Sequence, residues 1–315
     1  MDIEVIQHQK QKVIEDFGEW TAHNIRLDND IYTIAKKITG DEIKLRRVIQ
    51  IVSDIAGKPL SHLRVLDLAC LEGLYTIELA KHGAEVVAIE GRKANIEKAR
   101  FSKEILSLSN VALFQDDVRN LNAGTYGHFD VVLCLGILYH LDVSDVFSFL
   151  ENVFQVCKGF VVIDTHVSLS GREPCVYRKK EYWGHEHIEH KADSSPQERE
   201  KSLWASLDNP TSFWFTRPSL LNLLSNIGFS SVYECHIPEE PQKPCHRSTL
   251  VAIKGQREKL ISAPLMNAQE PIGIPEESGH QYSESLFSRL FKVRLLILRK
   301  LKEIVKKLVF ARRLQ

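Results

Sequence analysis

The sequence predicts an α/β fold: a doubly wound, seven-stranded, mostly parallel sheet, with an N-terminal helical cap before it and a C-terminal amphipathic helix after it. Three observations predict this. From Leu63 to Asp164, short Val/Ile/Leu-rich runs alternate with helical patterns, and such alternation argues for right-handed βαβ units and a parallel sheet. Two of the runs, Val65-Leu66-Asp67-Leu68 and Val86-Val87-Ala88-Ile89-Glu90, climb into acids near their ends. In an open parallel sheet, ligands bind at those carboxyl ends. Two later runs, 229–236 and 248–254, read as a closing antiparallel pair.

In chain order, residues 1–57 are polar and helical in pattern, with the cluster Trp20-Thr21-Ala22-His23-Asn24 inside, and read as the cap. The main domain is placed at 58–255. Its first five strands are expected at 64–68, 85–90, 111–114, 129–135 and 159–164, with helices at 73–82, 93–107 and 144–157 between them. Residues 168–210 are polar and rich in His, Glu, Ser and Trp, and read as a lid or substrate insertion. Pro218 to Ile227 reads as a helix, with Pro in the first turn and Gly228 just past the end. Residues 256–284 contain Pro264, Pro271 and Pro275 with few periodic apolar positions, and read as a linker.

The six cysteines form no C-x-x-C pair, and several lie in apolar runs. That pattern predicts reduced core thiols in a cytoplasmic protein. The N-terminus is polar and lacks a signal-peptide apolar region. No apolar stretch reaches the roughly 18 residues of a spanning helix. The net charge of zero hides an asymmetry. Residues 285–315 carry ten basic residues and one acid, a charge of +9, so the other residues carry 31 basic and 40 acidic, a charge of −9. On a helix, Leu286, Leu290, Val293, Ile297, Leu301, Ile304 and Leu308 share one face, and Lys292, Arg299, Lys302, Lys306 and Lys307 lie opposite. Such a helix suits an anionic membrane surface, docking on an acidic protein body or partner, or an RNA backbone.

The turn after the first strand, Ala69-Cys70-Leu71-Glu72-Gly73, argues against a dinucleotide. A dinucleotide motif needs a glycine where the backbone meets a pyrophosphate, and Leu71 stands near that place. A nucleoside cofactor without phosphate avoids the conflict. Residues 63–164 resemble a class I S-adenosylmethionine-dependent methyltransferase, with its Rossmann-like sheet. The family's D-x-G-x-G-x-G motif is matched from Asp67 to Gly73, with Ala69 and Leu71 in place of the first two glycines. The resemblance implies that Asp67 and the backbone of Ala69 to Gly73 hold the methionyl end. It also implies that Glu90, 23 positions after Asp67, accepts the ribose hydroxyls. Phe114-Gln115-Asp116-Asp117-Val118 resembles the adenine motif, with Asp117 favoured over Asp116 and Val118 supplying backbone. Asp130 to Gly136 resembles the fourth strand, whose end at Leu135 passes under the sulfonium.

Gly136-Ile137-Leu138-Tyr139-His140-Leu141, with Phe213 to Leu220 downstream, is similar to the branch containing the tRNA wobble-uridine carboxymethyltransferases and many O-methyltransferases of sugars and natural products. His140 is the first candidate for a general base, because imidazole titrates near neutrality; a structural role under the cofactor is the alternative. Asp164-Thr165-His166 could line the same cleft. His185, His187 and His190 have spacing a metal could use, but a polar lid is the commoner reading, and no metal is expected. Trp20 and His23 could close over the cofactor or serve as packing anchors. The leading expectation is methyl transfer to an oxygen of a small-molecule or glycan-type acceptor, with 285–315 touching a membrane surface. A tRNA wobble-uridine (carboxy)methyltransferase is the second reading, made less favourable by the acidic body. A non-catalytic cofactor-binding or scaffold protein is the third.

Overall fold

The computed structural model describes residues 2–34, 41–237, 240 and 243–256. The expected linker and basic helix at 257–315 lie outside the described residues, and no helix among those described is long and apolar enough to cross a membrane. Helix α1 (Ile3–Phe17) starts where the Asp2 carboxylate accepts from Glu4 N–H and stops at Gly18, whose φ is +80°. Helix α2 (Asp41–Ala56) follows. A continuous helical reading of the first 57 residues fails between them: residues 18–34 run as a loop, held by an antiparallel bridge from Arg26 to Tyr32. The loop buries Trp20, Ile25, Leu27 and Ile31 in the main core.

Strands β1 (Arg64–Leu68), β2 (Glu85–Glu90), β3 (Val111–Gln115), β4 (Phe129–Leu135) and β5 (Cys157–His166) alternate with α3 (Leu74–Lys81), α4 (Lys93–Ile105), the single turn α5 (Ala123–Tyr126) and α6 (Val143–Val156). These five strands run parallel to one another. After α8 (Arg217–Ile227), β9 (Ser231–Glu234) and β10 (Arg247–Ile253) complete the sheet. Its order is β3-β2-β1-β4-β5-β10-β9, with β10 antiparallel to both neighbours. Both faces are covered. Leu66, Leu68, Val132 and Cys134 pack on the α6 side, while Val65, Val131 and Leu133 face the layer containing α2 and α3. A strand buried on both faces reads as a continuous apolar run. The chain reverses its direction of winding between β1 and β4, which opens a crevice at their carboxyl ends.

Residues 168–210 are more than a loop. They contain β6 (Glu173–Tyr177), β7 (Lys180–Ile188) and α7 (Pro196–Lys201). With β8 (Thr211–Phe215) they build a second, three-stranded antiparallel sheet, β6-β7-β8. The third strand therefore lies just beyond the expected insertion. Its hairpin turn is Arg178-Lys179, both at positive φ (+49° and +66°). A two-residue hairpin favours that geometry, but without an Asn-Gly or Asp-Gly pair the sequence does not announce it.

Candidate active site

The turn after β1 keeps a glycine-motif backbone without all of its glycines. Ala69, Leu71 and Gly73 have φ of +53°, +51° and +88°. At Gly73 the glycine is required twice, by its φ and because a Cβ there would lie 2.9 Å from Ala99 Cβ on α4. At Ala69 and Leu71 the left-handed conformation is carried by side-chain-bearing residues, at about 1–3 kcal/mol each. The turn is tied down by Cys70 N–H donating to Ile89 O (3.1 Å) and Leu71 N–H donating to Glu90 Oε2 (2.9 Å). Asp67 is buried and accepts from Thr76 Oγ1 (2.6 Å). Burial pushes its carboxyl up to about 7.

Glu72, inside the same turn, is fully buried and faces the N-terminal loop. Its carboxylate accepts from three successive backbone N–H groups, of Thr21 (2.8 Å), Ala22 (3.2 Å) and His23 (3.0 Å), and from Lys98 Nζ (3.3 Å). His23 Nδ1 accepts from Leu74 N–H (3.1 Å), which leaves the ring proton on Nε2, and burial lowers its pKa to about 4. His23 thus reaches the crevice from a loop. Trp20 packs against Phe101 of α4 instead, with ring centroids 5.6 Å apart.

A cavity of about 530 Å³ occupies the crevice. One half is lined by Asp67, Ala69, Leu71, Glu90, Asp117, Val118 and Leu135. Glu90 accepts from Arg92 N–H (2.9 Å) and Asn95 Nδ2 (3.2 Å) as well as from Leu71, and burial raises its pKa. Asp117 lines the cavity while its carboxylate also accepts from Arg119 N–H (2.8 Å) and Nε (2.9 Å). Asp116 does not line it. Its carboxylate is taken by the Tyr126 hydroxyl, Asn120 Nδ2 and Asp117 N–H, and the Tyr126 bond holds its pKa below the usual range. Gly73 also lies off the cavity and serves the turn.

The other half is lined by Tyr139, His140, His166, His187, Glu189, Trp214 and Arg247. His140 Nδ1 lies 2.9 Å from Glu189 Oε2 and 3.0 Å from Oε1. That contact uses Nδ1, so Nε2 is the nitrogen left to meet a substrate. Glu189 is buried and also accepts from Ser212 Oγ (2.6 Å) and Ser206 N–H (2.8 Å). Burial opposes its charge, but these donors, His140 first, hold its pKa below the ordinary value. Asp164 and His166, at the end of β5, do line the cavity. Arg247 Nε donates to Asp164 Oδ1 (2.6 Å), and this ion pair overcomes burial to keep Asp164 ionised. Burial, then Arg247 and His246, lower His166 to about 3. The Trp214 ring stacks on His166 (centroids 4.8 Å) and His187 (4.4 Å).

The three lid histidines part company. His185 contacts Ser168 Oγ, His187 stacks on Trp214, and His190 Nε2 contacts Ser206 O. Among the described residues no His/Cys/Asp/Glu group is arranged to hold a metal ion. Glu189 and Arg247 escaped the sequence reading. Glu189 is one acid among several in a polar stretch, and Arg247 lies just before the apolar run expected at 248–254.

Residues 65–159 match the family model described as "Methyltransferase domain". Two ubiquinone biosynthesis O-methyltransferases are among the curated relatives. That of Rickettsia akari is 31% identical over 128 residues, 39% of this chain and 48% of the relative. That of Rickettsia prowazekii is 28% identical over 159 residues, 49% of this chain and 59% of the relative. The chain thus spans about half the length of these relatives. Among solved structures, the N-terminal domain of EvdMO1, crystallised in the presence of SAH and D-fucose, superposes with a TM-score of 0.62 at 23% identity, covering 81% of this chain and 98% of that one. The sheet order, the crevice at its switch point and the family match converge: residues 65–159 form a class I S-adenosylmethionine-dependent methyltransferase domain.

Proposed function

We propose that the protein transfers a methyl group from S-adenosylmethionine to an oxygen of a small-molecule or glycan-type acceptor. The observation that carries this reading is the His140–Glu189 pair, set in the same cavity as Glu90 and the left-handed turn. The residues fit the cofactor. Glu90 is a buried carboxylate, an acceptor with no donor of its own, suited to hydroxyls. Asp67 and Asp117 suit a cationic nucleoside, and the Leu71 side chain on the cavity wall opposes a pyrophosphate. Ala69 and Leu71 preserve the backbone path of the turn, which favours a working site over a decayed one. A cavity of about 530 Å³ is within the range of ligand pockets.

S-adenosylmethionine, when bound, supplies an electrophilic methyl carbon. The protein's part is to hold an acceptor hydroxyl in line at about 3–3.5 Å and to take its proton. His140 Nε2 accepts that proton. Glu189, on Nδ1, fixes the tautomer and stabilises the imidazolium, as a buried carboxylate does in hydrolytic triads. Tyr139, His187 and Trp214 offer ring faces to the apolar side of an acceptor. The relatives named as ubiquinone biosynthesis O-methyltransferases support an oxygen acceptor, and the D-fucose crystallised with EvdMO1 supports a saccharide among the candidates. The basic sequence 285–315 supports contact with an anionic membrane surface, and a lipid-linked saccharide would suit both features.

The test is transfer of label from methyl-labelled S-adenosylmethionine to a panel of phenols, free and nucleotide-linked sugars, lipid-linked saccharides and bulk tRNA. Label in a small acceptor at a methyl ether is expected. Label in tRNA alone would overturn the acceptor class and restore the wobble-uridine reading.

A further inference from the structure

Arg92 stands two residues after Glu90 and is buried. Its backbone N–H donates to Glu90 Oε1 (2.9 Å). Its guanidinium donates to five backbone carbonyls within residues 199–206: Arg199 (3.0 Å), Glu200 (2.5 Å), Ser202 (3.1 Å), Ala205 (3.0 Å) and Ser206 (2.8 Å). The contacts use the four N–H groups of Nη1 and Nη2, one of those on Nη2 shared between two carbonyls, and the rigid fork of Arg suits such a cage. The caged segment has little regular structure of its own after α7 ends at Lys201. At its far end, Ser206 N–H donates to Glu189 Oε2 (2.8 Å), and Asn209 Nδ2 donates to His140 O (2.9 Å). Residues 203–209 line the cavity, and a Cβ on Gly91 would lie 3.0 Å from Leu207 Cδ2. One chain of contacts therefore runs from Glu90 through Arg92 and the segment to the His140–Glu189 pair.

We propose that Arg92 is a positioning residue for methyl transfer: by caging the carbonyls of residues 199–206 it couples Glu90 to the His140–Glu189 pair, so that the cofactor binds first and completes the acceptor site. The proposal rests on the functional reading above. A ligand that engages Glu90 steadies the Glu90-Gly91-Arg92 backbone, and the guanidinium passes that order to the segment. By linkage, an acceptor held by the ordered segment tightens the cofactor by the same factor.

The test is hydrogen exchange of the full chain with and without S-adenosylhomocysteine, in the wild type, Arg92→Lys and Arg92→Ala. In the wild type the ligand is expected to slow exchange in residues 67–73, 90–95 and 199–209, by about ten-fold in the last. Arg92→Ala is expected to keep ligand affinity within about three-fold and protection at 67–73, and to lose protection at 199–209. Its acceptor KM is expected to rise while its cofactor KM does not. Arg92→Lys, which keeps the charge without the fork, falls between and decides the matter should the alanine variant fail to fold. Protection at 67–73 without any at 199–209 in the wild type overturns the coupling alone, as does protection of 199–209 that survives both substitutions. Failure of the ligand to bind the wild type overturns the coupling and the functional reading together.

Discussion

Replacing Glu189 by Gln separates a catalytic pair from a structural one. Three donors converge on the Glu189 carboxylate: His140 Nδ1 at 2.9 Å, Ser212 Oγ at 2.6 Å and Ser206 N–H at 2.8 Å. The side chain is only 2% exposed, so a lost partner is poorly replaced by water. Gln offers one acceptor oxygen and an NH2 group, so one of the three donors meets a donor. An unsatisfied buried donor costs about 1–3 kcal/mol, which for a chain of this size is a fall in Tm of about 2–10 °C. The effect on rate is of another order. Without the carboxylate, His140 loses both its enforced tautomer and the partner for its charged form, and kcat should fall on the order of 10²–10⁴-fold. Affinity for S-adenosylhomocysteine should stay within about three-fold, because Glu189 touches the other half of the cavity and reaches the cofactor half only through the 199–209 segment. The assays are calorimetric melting, titration with S-adenosylhomocysteine, and turnover with an acceptor found by the labelled-methyl screen. Combined with His140→Ala, the double variant should be no slower than the slower single one, because the two residues act as a unit. If Glu189→Gln melts lower yet keeps kcat within about three-fold, the pair holds the lid and does no chemistry.

Ala69→Gly should raise Tm by a few degrees by relieving a left-handed alanine, and Gly73→Ala should lower it by more, because its Cβ would collide with Ala99; differential scanning calorimetry reads both, and a stabilised Gly73→Ala would refute the account of the turn. Asp67, raised by burial to about 7, holds a proton in the free protein at lower pH. The α-ammonium of the ligand's amino-acid end, set beside Asp67, favours its ionised form, so affinity for S-adenosylhomocysteine should increase through neutrality, with proton release seen as a dependence of the heat on buffer, and a flat profile would remove Asp67 from the ligand. Glu189 and Asp164 both have folded pKa values below their unfolded ones. Their stability is therefore complete above the unfolded values, near 4, and is lost as pH falls through the folded ones. Acid unfolding below about pH 4 should be shallower in Asp164→Asn, and an unchanged acid limb would contradict this. The full chain should sediment with vesicles rich in anionic lipid and be released by salt; equal binding to neutral vesicles would argue against an electrostatic role for 285–315.

The residues that were easiest to read are those whose surroundings leave little choice. The inner strands β1, β2, β4 and β5 are sandwiched between layers, so their middles are apolar, and Asp67 and Glu90 stand out because an acid near the end of such a run has no packing reason to be there. The sheet β6-β7-β8 was harder. Lys180 to Ile188 alternates polar and apolar groups only loosely, its turn is Arg-Lys, and it has no aliphatic core residue: Tyr182 packs in the core and His187 faces the cavity. Glu189 lies 49 residues from His140, and only the fold brings them together. Between the two helices the N-terminal segment is a loop because its backbone donors are drawn off by Glu72 and Thr33, and its buried residues, Trp20, Ile25, Leu27 and Ile31, do not share one helical face.

The bond between Glu72 and the N-terminal loop bears on how the site is assembled. The family match begins at residue 65, but the turn it contains closes on backbone groups up to 51 positions earlier. A fragment trimmed to the matched stretch would strand Glu72 and Lys98 as a buried ion pair stripped of its other partners and would open the wall that His23 supplies. During synthesis the loop emerges first and waits for Glu72. The cofactor turn is thus finished by docking of a segment made before it, and ligand binding should appear together with protection of residues 20–23.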